Sequence, residues 1–216
     1  MTWIAAAAGV YYLLALAAAL LWRRRPMEPG ALPPISILKP VHGRDPRFLE
    51  ALRSHAAQDY PEFELLFAVH DAADPALEDI RRLEDEFPSL PVRTIVSTRR
   101  AANGKVALLI DLAEAARHPV LLVNDSDIRV PPGYLRSVAA ALEDADLVTC
   151  LYRAASASPA ARWEAIGIAT EFAPSVLVAR LLGVVEFALG STMAFRAAAL
   201  RENGRFEPKQ DNQAHQ

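Results

Sequence analysis

Cysteine is almost missing from the 216 residues, and the single Cys150 excludes an internal disulfide framework. That fits a reducing compartment. Charge of one sign is not in excess either. A net charge of −3 leaves no basic footprint for nucleic acid, so none is expected as a partner. Internal repeats and low-complexity tracts are missing, which excludes a solenoid. The most telling gap is local: Thr2 to Trp22, TWIAAAAGVYYLLALAAALLW, carries no charge over 21 residues. At about 1.5 Å per residue such a helix crosses a hydrocarbon core of roughly 30 Å. Arg23, Arg24 and Arg25 follow at once, which places the remainder on the cytoplasmic side. A cleaved signal peptide would carry its basic residues before the apolar run. Residues 1–25 therefore read as a single-pass transmembrane anchor. Residues 26–34, PMEPGALPP, read as a stiff proline-rich linker.

From residue 35 short apolar runs alternate with amphipathic stretches. Strands are expected at Ile35–Leu38, Phe63–Val69, Val92–Val96, Val120–Val123 and Leu147–Leu151. Helices are expected from Asp45 to about Gln58, after Asp74-Pro75, over Lys105–Ala116 and over Pro132–Leu142. The alternation predicts an α/β fold, a mostly parallel sheet with helices on both faces. After Tyr152 the pattern changes. Pro159–Thr170 reads as an amphipathic helix around Trp163. Phe172–Leu189 is nearly all apolar, but Pro174, Arg180, Gly183 and Glu186 argue against a span. It reads either as a patch against the bilayer or a lipid acceptor, or as a buried helix plus strand. Gly190–Phe195 reads as a turn and strand, and residues 201–216 as a polar tail.

Polar residues punctuate the strand ends. Lys39-Pro40 closes the first, Asp71 follows the second, and Asn124-Asp125-Ser126-Asp127 follows the fourth. Parallel strands bring such ends to one edge, where ligands of open α/β sheets bind. Carboxylates at i and i+2 there suit a hard divalent cation, although Asp and Ser are also ordinary turn formers. Asn103-Gly104-Lys105 opens a helix, where backbone N–H groups and a lysine meet a phosphate. Haloacid-dehalogenase phosphotransferases also place DxD after a strand, but on an early one and with a small residue where Arg129 stands.

The stretch ISILKPVHGRDPRFLEALRSHAAQDYPEFELLFAVHDAADPA, then NGK, NDSDIRVPPGYL and GSTMAF, resembles the ceramide glucosyltransferases, most closely the bacterial hopanoid-associated glycosyltransferases. The resemblance covers about residues 35–200 and the anchor. It implies a GT-A (Rossmann-like) domain over 35–200, a UDP-sugar donor (glucose or N-acetylglucosamine), Mg2+ or Mn2+, and transfer with inversion to a membrane lipid. It further implies a bacterial inner-membrane location. By the same resemblance, Asp71 contacts the uridine and Asn103 and Lys105 lie near the nucleotide. Asp125 and Asp127 hold metal and diphosphate, and Ser191 lines the sugar site. Lys39, at the end of the first strand, joins the donor-binding set by its position.

Two departures accompany the likeness. Ala173-Pro174 stands where the eukaryotic enzymes carry His-Pro. The family's third aspartate, its catalytic base, and its QxxRW motif have no counterpart before Gln216; Asp211 sits in the polar tail. The expectation is a C-terminally truncated domain with no base assigned, active or a catalytically inert nucleotide-binding remnant. Glu171 and Glu186 are the substitute carboxylates to test if transfer is seen.

Overall fold

A computed structural model describes residues 2–21, 29–154, 159–184 and 186–202. In chain order the first elements are α1 (Thr2–Leu21), β1 (Ile35–Pro40), α2 (Phe48–Ala56), β2 (Phe63–Val69), α3 (Ala76–Glu86) and β3 (Val92–Val96). Next come α4 (Gly104–Ala115), β4 (Val120–Asn124), α5 (Tyr134–Glu143) and β5 (Leu147–Thr149). Then follow α6 (Pro159–Gly167), a π-helical turn (Ile168–Phe172), α7 (Ala173–Leu181), β6 (Thr192–Arg196) and α8 (Ala197–Glu202). The chain divides into a larger unit, residues 27–149 with 190–216, and a smaller one, residues 1–26 with 150–189.

The larger unit holds a six-stranded sheet ordered β3-β2-β1-β4-β6-β5. The pairs β1–β2, β1–β4 and β2–β3 are parallel, as the alternation predicts. β6 runs antiparallel to both β4 and β5. Every residue of β1, β2 and β4 is buried, so both faces of the sheet centre are covered. That burial is why these strands are near-continuous apolar runs rather than alternating ones. On one face Leu38, Leu66, Leu121 and Val123 pack with Leu108, Leu109 and Leu112 of α4. Ile37, Leu65 and Leu122 point the other way and are fully buried.

Both boundaries of α2 differ from the sequence reading. α2 begins at Phe48, not Asp45, because Arg47 takes a left-handed φ of 71° and residues 45–47 form a turn. It ends at Ala56, and the Gln58 amide instead donates to the Ser54 and Pro131 carbonyls. Asp74 caps α3 as expected, with Oδ1 accepting from Ala76 N at 2.9 Å. Its Oδ2 accepts from the amide of Gly43, whose φ of 70° favours glycine.

Glu64, at the start of β2, is 1% exposed yet charged. Burial raises its carboxyl pKa. Hydrogen bonds from Ser36 Oγ (2.6 Å), Arg117 N (2.9 Å) and Arg93 Nη2 (2.8 Å) reverse that and hold it below the usual range. They tie the strand starts at the edge opposite the polar strand ends.

Residues 29–34, within the expected stiff linker, are held by hydrogen bonds. Gly30 N and Ala31 N donate to Glu143 Oε1, and Tyr60 Oη donates to the Pro33 carbonyl. Arg23, Arg24 and Arg25 lie outside the described residues, as do residues 203–216 of the polar tail.

In the smaller unit α1 packs against α7, with Ala15, Ala18 and Val178 buried. Small side chains on α1 let the helices approach closely. α1 is the one described helix long and apolar enough to cross a membrane. The alternative of a buried helix plus strand for Phe172–Leu189 is not what forms. α7 ends at Leu181, and no strand occurs among the described residues between Leu182 and Ser191. Gly183, at φ 82°, terminates the helix. Residues 180–184 are exposed.

Candidate functional site

The carboxyl ends of β1, β2 and β4 open on one edge of the sheet, and period-2 alternation distributes their polar residues. Lys39 and Asn124 fall on the face of Ile37 and Leu122; Asp125 falls on the α4 face. Lys39 is wholly buried and donates from Nζ to the Asp125 carbonyl at 2.9 Å. The Asp125 carboxylate is ion-paired with Lys105 at the start of α4. Asn103 caps that helix, its Oδ1 accepting from Lys105 N at 3.0 Å. Asp125 N in turn donates to the Ser191 carbonyl at 3.2 Å. Lys39, Asn103, Lys105, Asp125 and Ser191, from four parts of the sequence, thus form one connected group.

Asp71 and Asp127 stand more openly. Asp71 is exposed and accepts from Ala73 N at 2.8 Å, the turn role that aspartate commonly takes. The neighbouring His70 donates from Nε2 to the Gly104 carbonyl at 3.2 Å, which draws the Asn103–Lys105 turn to the end of β2. Asp127 is exposed, and its charge acts on Lys39. Ser191 Oγ is buried, with no hydrogen-bond partner among the described residues.

Beneath this group lies a buried polar hub that sequence reasoning missed. Asn124 Nδ2 donates to Thr192 Oγ1 (2.8 Å) and to the Ser191 carbonyl (3.3 Å). Its Oδ1 accepts from Tyr134 Oη at 3.3 Å and faces His55 Nε2 at 3.1 Å. His55 Nδ1 lies 3.0 Å from the Ala51 carbonyl, so a neutral ring has one N–H for two acceptors. Ser126 Oγ adds a bond to Asp45 Oδ2 at 2.8 Å. The only hint in the sequence is a polar Asn ending a buried strand.

Burial pushes the Lys39 ammonium down to about 7, against the opposing pull of Asp125 and Asp127. Burial, aided by the Lys39 charge, pushes the His55 imidazolium down to about 3, so the ring is neutral at pH 7. Both folded values lie below the unfolded ones. The unfolded chain therefore binds more protons between about 3 and 6.5 for His55, and between about 7 and 10.5 for Lys39. Stability falls as pH drops through each window. From pH 7 to pH 4 the His55 contribution is a loss of about 3 kcal/mol. Urea unfolding of the detergent-solubilised chain at both pH values should show it, and His55→Gln should lose distinctly less. Equal acid losses in the two proteins would refute the assignment.

Two carboxylates, Asp125 and Asp127, supply hard oxygen donors at this edge. Among the described residues no three of His, Cys, Asp and Glu gather into a metal cage. Two carboxylates are what Mg2+ commonly takes from a protein when water and substrate phosphate complete the octahedron. The donor set fits such a cation.

The model of glycosyl transferase family 21 matches residues 1–215. Ceramide glucosyltransferase 1 of Caenorhabditis elegans is 30% identical over 187 residues, 84% of this chain and 40% of that protein. A Komagataella phaffii ceramide glucosyltransferase is 30% identical over 112 residues, 49% of this chain and 22% of its own length. The chain thus spans at most two fifths of these curated relatives. Among solved structures, a Pyrobaculum calidifontis mannosyltransferase in complex with GDP-Man and Mn2+ superposes with a TM-score of 0.65 at 19% identity. The match covers 94% of this chain and 56% of that one. Staphylococcus aureus TarS 1–349 with UDP-GlcNAc gives 0.52 at 20% identity, over 81% and 48% of the two chains. The fold is GT-A-like, as the resemblance implied.

Proposed function

Because the chain belongs to glycosyltransferase family 21, we propose that it binds a UDP-sugar with Mg2+ or Mn2+ at the edge formed by β1, β2 and β4. The sugar, glucose or N-acetylglucosamine, passes to the hydroxyl of a hopanoid or ceramide-like membrane lipid. The observation that carries this reading is the connected group Lys39, Asn103, Lys105, Asp125 and Ser191 at that edge, with Asp127 exposed beside it. The solved mannosyltransferase with GDP-Man and Mn2+ supports a nucleotide sugar and a divalent metal on this fold.

Asp125 and Asp127 would hold the cation, which neutralises charge developing on the departing diphosphate. Lys105, ion-paired to Asp125, would turn its ammonium to the phosphates. Asp71 and Asn103 flank the uridine side. The orphaned Ser191 hydroxyl gains a partner when a donor sugar fills the edge. α1 anchors the chain in a bacterial inner membrane with the sheet on the cytoplasmic side.

Calorimetry on the solubilised full chain should show UDP binding with Mn2+ that disappears in EDTA. Equal binding in both would refute the site. Radiolabelled UDP-glucose and UDP-N-acetylglucosamine, offered with hopanoid and ceramide acceptors, then separate transfer from nucleotide binding alone.

A further inference from the structure

We propose that the surface formed by α6, the π-helical turn and α7 is an interfacial membrane element. It is seated at the headgroup–acyl boundary of the cytoplasmic leaflet, with the bilayer as its partner. This placement rests on α1 crossing the bilayer.

The depth follows from the packing of α7 on α1. The buried residues of α1 are Ala15 and Ala18, and half-buried Tyr11 completes an i, i+4, i+7 face. Ala15 and Ala18 precede Leu21 by six and three residues, hence lie about 9 and 4.5 Å from the helix end at 1.5 Å per residue. Interfacial helices sink roughly 5–10 Å. An element that touches a spanning helix at that depth meets lipid on its remaining sides.

Its surface suits that position. Among the described residues outside α1, seven large apolar side chains are exposed. Five of them, Trp163, Ile166, Leu181, Leu182 and Val184, fall within residues 163–184. Such a concentration of exposed large apolar side chains in one short segment is unusual on a soluble monomer. α7 has nine residues, too few to span. Arg162, Glu164, Glu171 and Arg180 sum to zero charge between residues 159 and 184. Attachment is therefore by apolar burial, not by attraction to anionic lipid.

The test uses the full chain reconstituted in zwitterionic phosphatidylcholine vesicles. The sequence has three tryptophans, so Trp3→Phe with Trp22→Phe leaves Trp163 as the only reporter. Phosphatidylcholine brominated near the headgroup end of its acyl chains should quench most Trp163 emission and leave it blue-shifted, with no change on adding phosphatidylglycerol. Leu181→Glu with Leu182→Glu should reduce that quenching. A companion protein retaining only Trp3 reports on α1. Quenched Trp3 with unquenched, water-like Trp163 overturns the interfacial placement while leaving the anchor intact. If neither is quenched, the anchor fails and the placement with it. An unquenched Trp163 in a chain that light scattering shows to be dimeric would assign the surface to a second copy and equally overturn it. UDP binding is scored separately, so loss of the nucleotide site does not mimic any of these results.

Discussion

Asp127→Ala is expected to weaken metal-dependent UDP binding about 100-fold or more, while leaving the urea midpoint nearly unchanged. The asymmetry comes from where the carboxylate sits. Asp127 is exposed and acts on the fold through the charge it presents to Lys39. Exposed substitutions of this kind shift stability by about 0.5 kcal/mol or less. A cation bridging protein and diphosphate contributes several kcal/mol, and each 1.4 kcal/mol is about tenfold in affinity. Asp125 is a poorer probe, because it is ion-paired with Lys105 and its backbone holds Lys39 and Ser191. Calorimetric titration of UDP with Mn2+ into Asp127→Ala, and into the exposed control Asp85→Ala, makes the comparison. Unchanged affinity in Asp127→Ala would remove the metal from this site.

Asn124→Leu is expected to cost about 3–6 kcal/mol of stability. Leucine has the same branching and the same number of side-chain heavy atoms, so the loss is polar, not a cavity. Thr192 Oγ1 and His55 Nε2 would lose a buried partner, and Tyr134 Oη would lose one of its contacts. An unsatisfied buried group costs about 1–3 kcal/mol. Against a typical total of about 5–15 kcal/mol, that is enough to unfold a weak domain. Removing the stranded partners as well should recover part of the loss, since apolar replacement on both sides can be nearly neutral. The triple variant Asn124→Leu, His55→Phe and Tyr134→Phe therefore belongs in the same urea series. If the single and triple variants unfold together and close to the parent, the hub contributes nothing.

Local pattern alone determined much of this molecule. A charge-free run of 21 residues gave the one described helix long and apolar enough to span a membrane, because length and composition suffice for that test. Apolar runs separated by helical periodicity gave the parallel strands β1 to β4, and β1, β2 and β4 are near-continuous apolar runs because both their faces are buried. The DxD triplet and the Asn-Gly-Lys turn were legible because strand ends and helix starts carry local signals. The resemblance then supplied roles that spacing could not.

Tertiary structure decided the rest, where partners are far apart in the chain. β6 enters the sheet between β4 and β5 and runs antiparallel, which no period reveals. His55 reaches Asn124 across 69 residues, and Glu143 holds Gly30 across 113. Residues 172–189 looked equally suited to a core or a membrane surface. Apolar composition states that burial is favourable but not against what; the tertiary structure packs α7 on α1 and leaves Leu181, Leu182 and Val184 exposed.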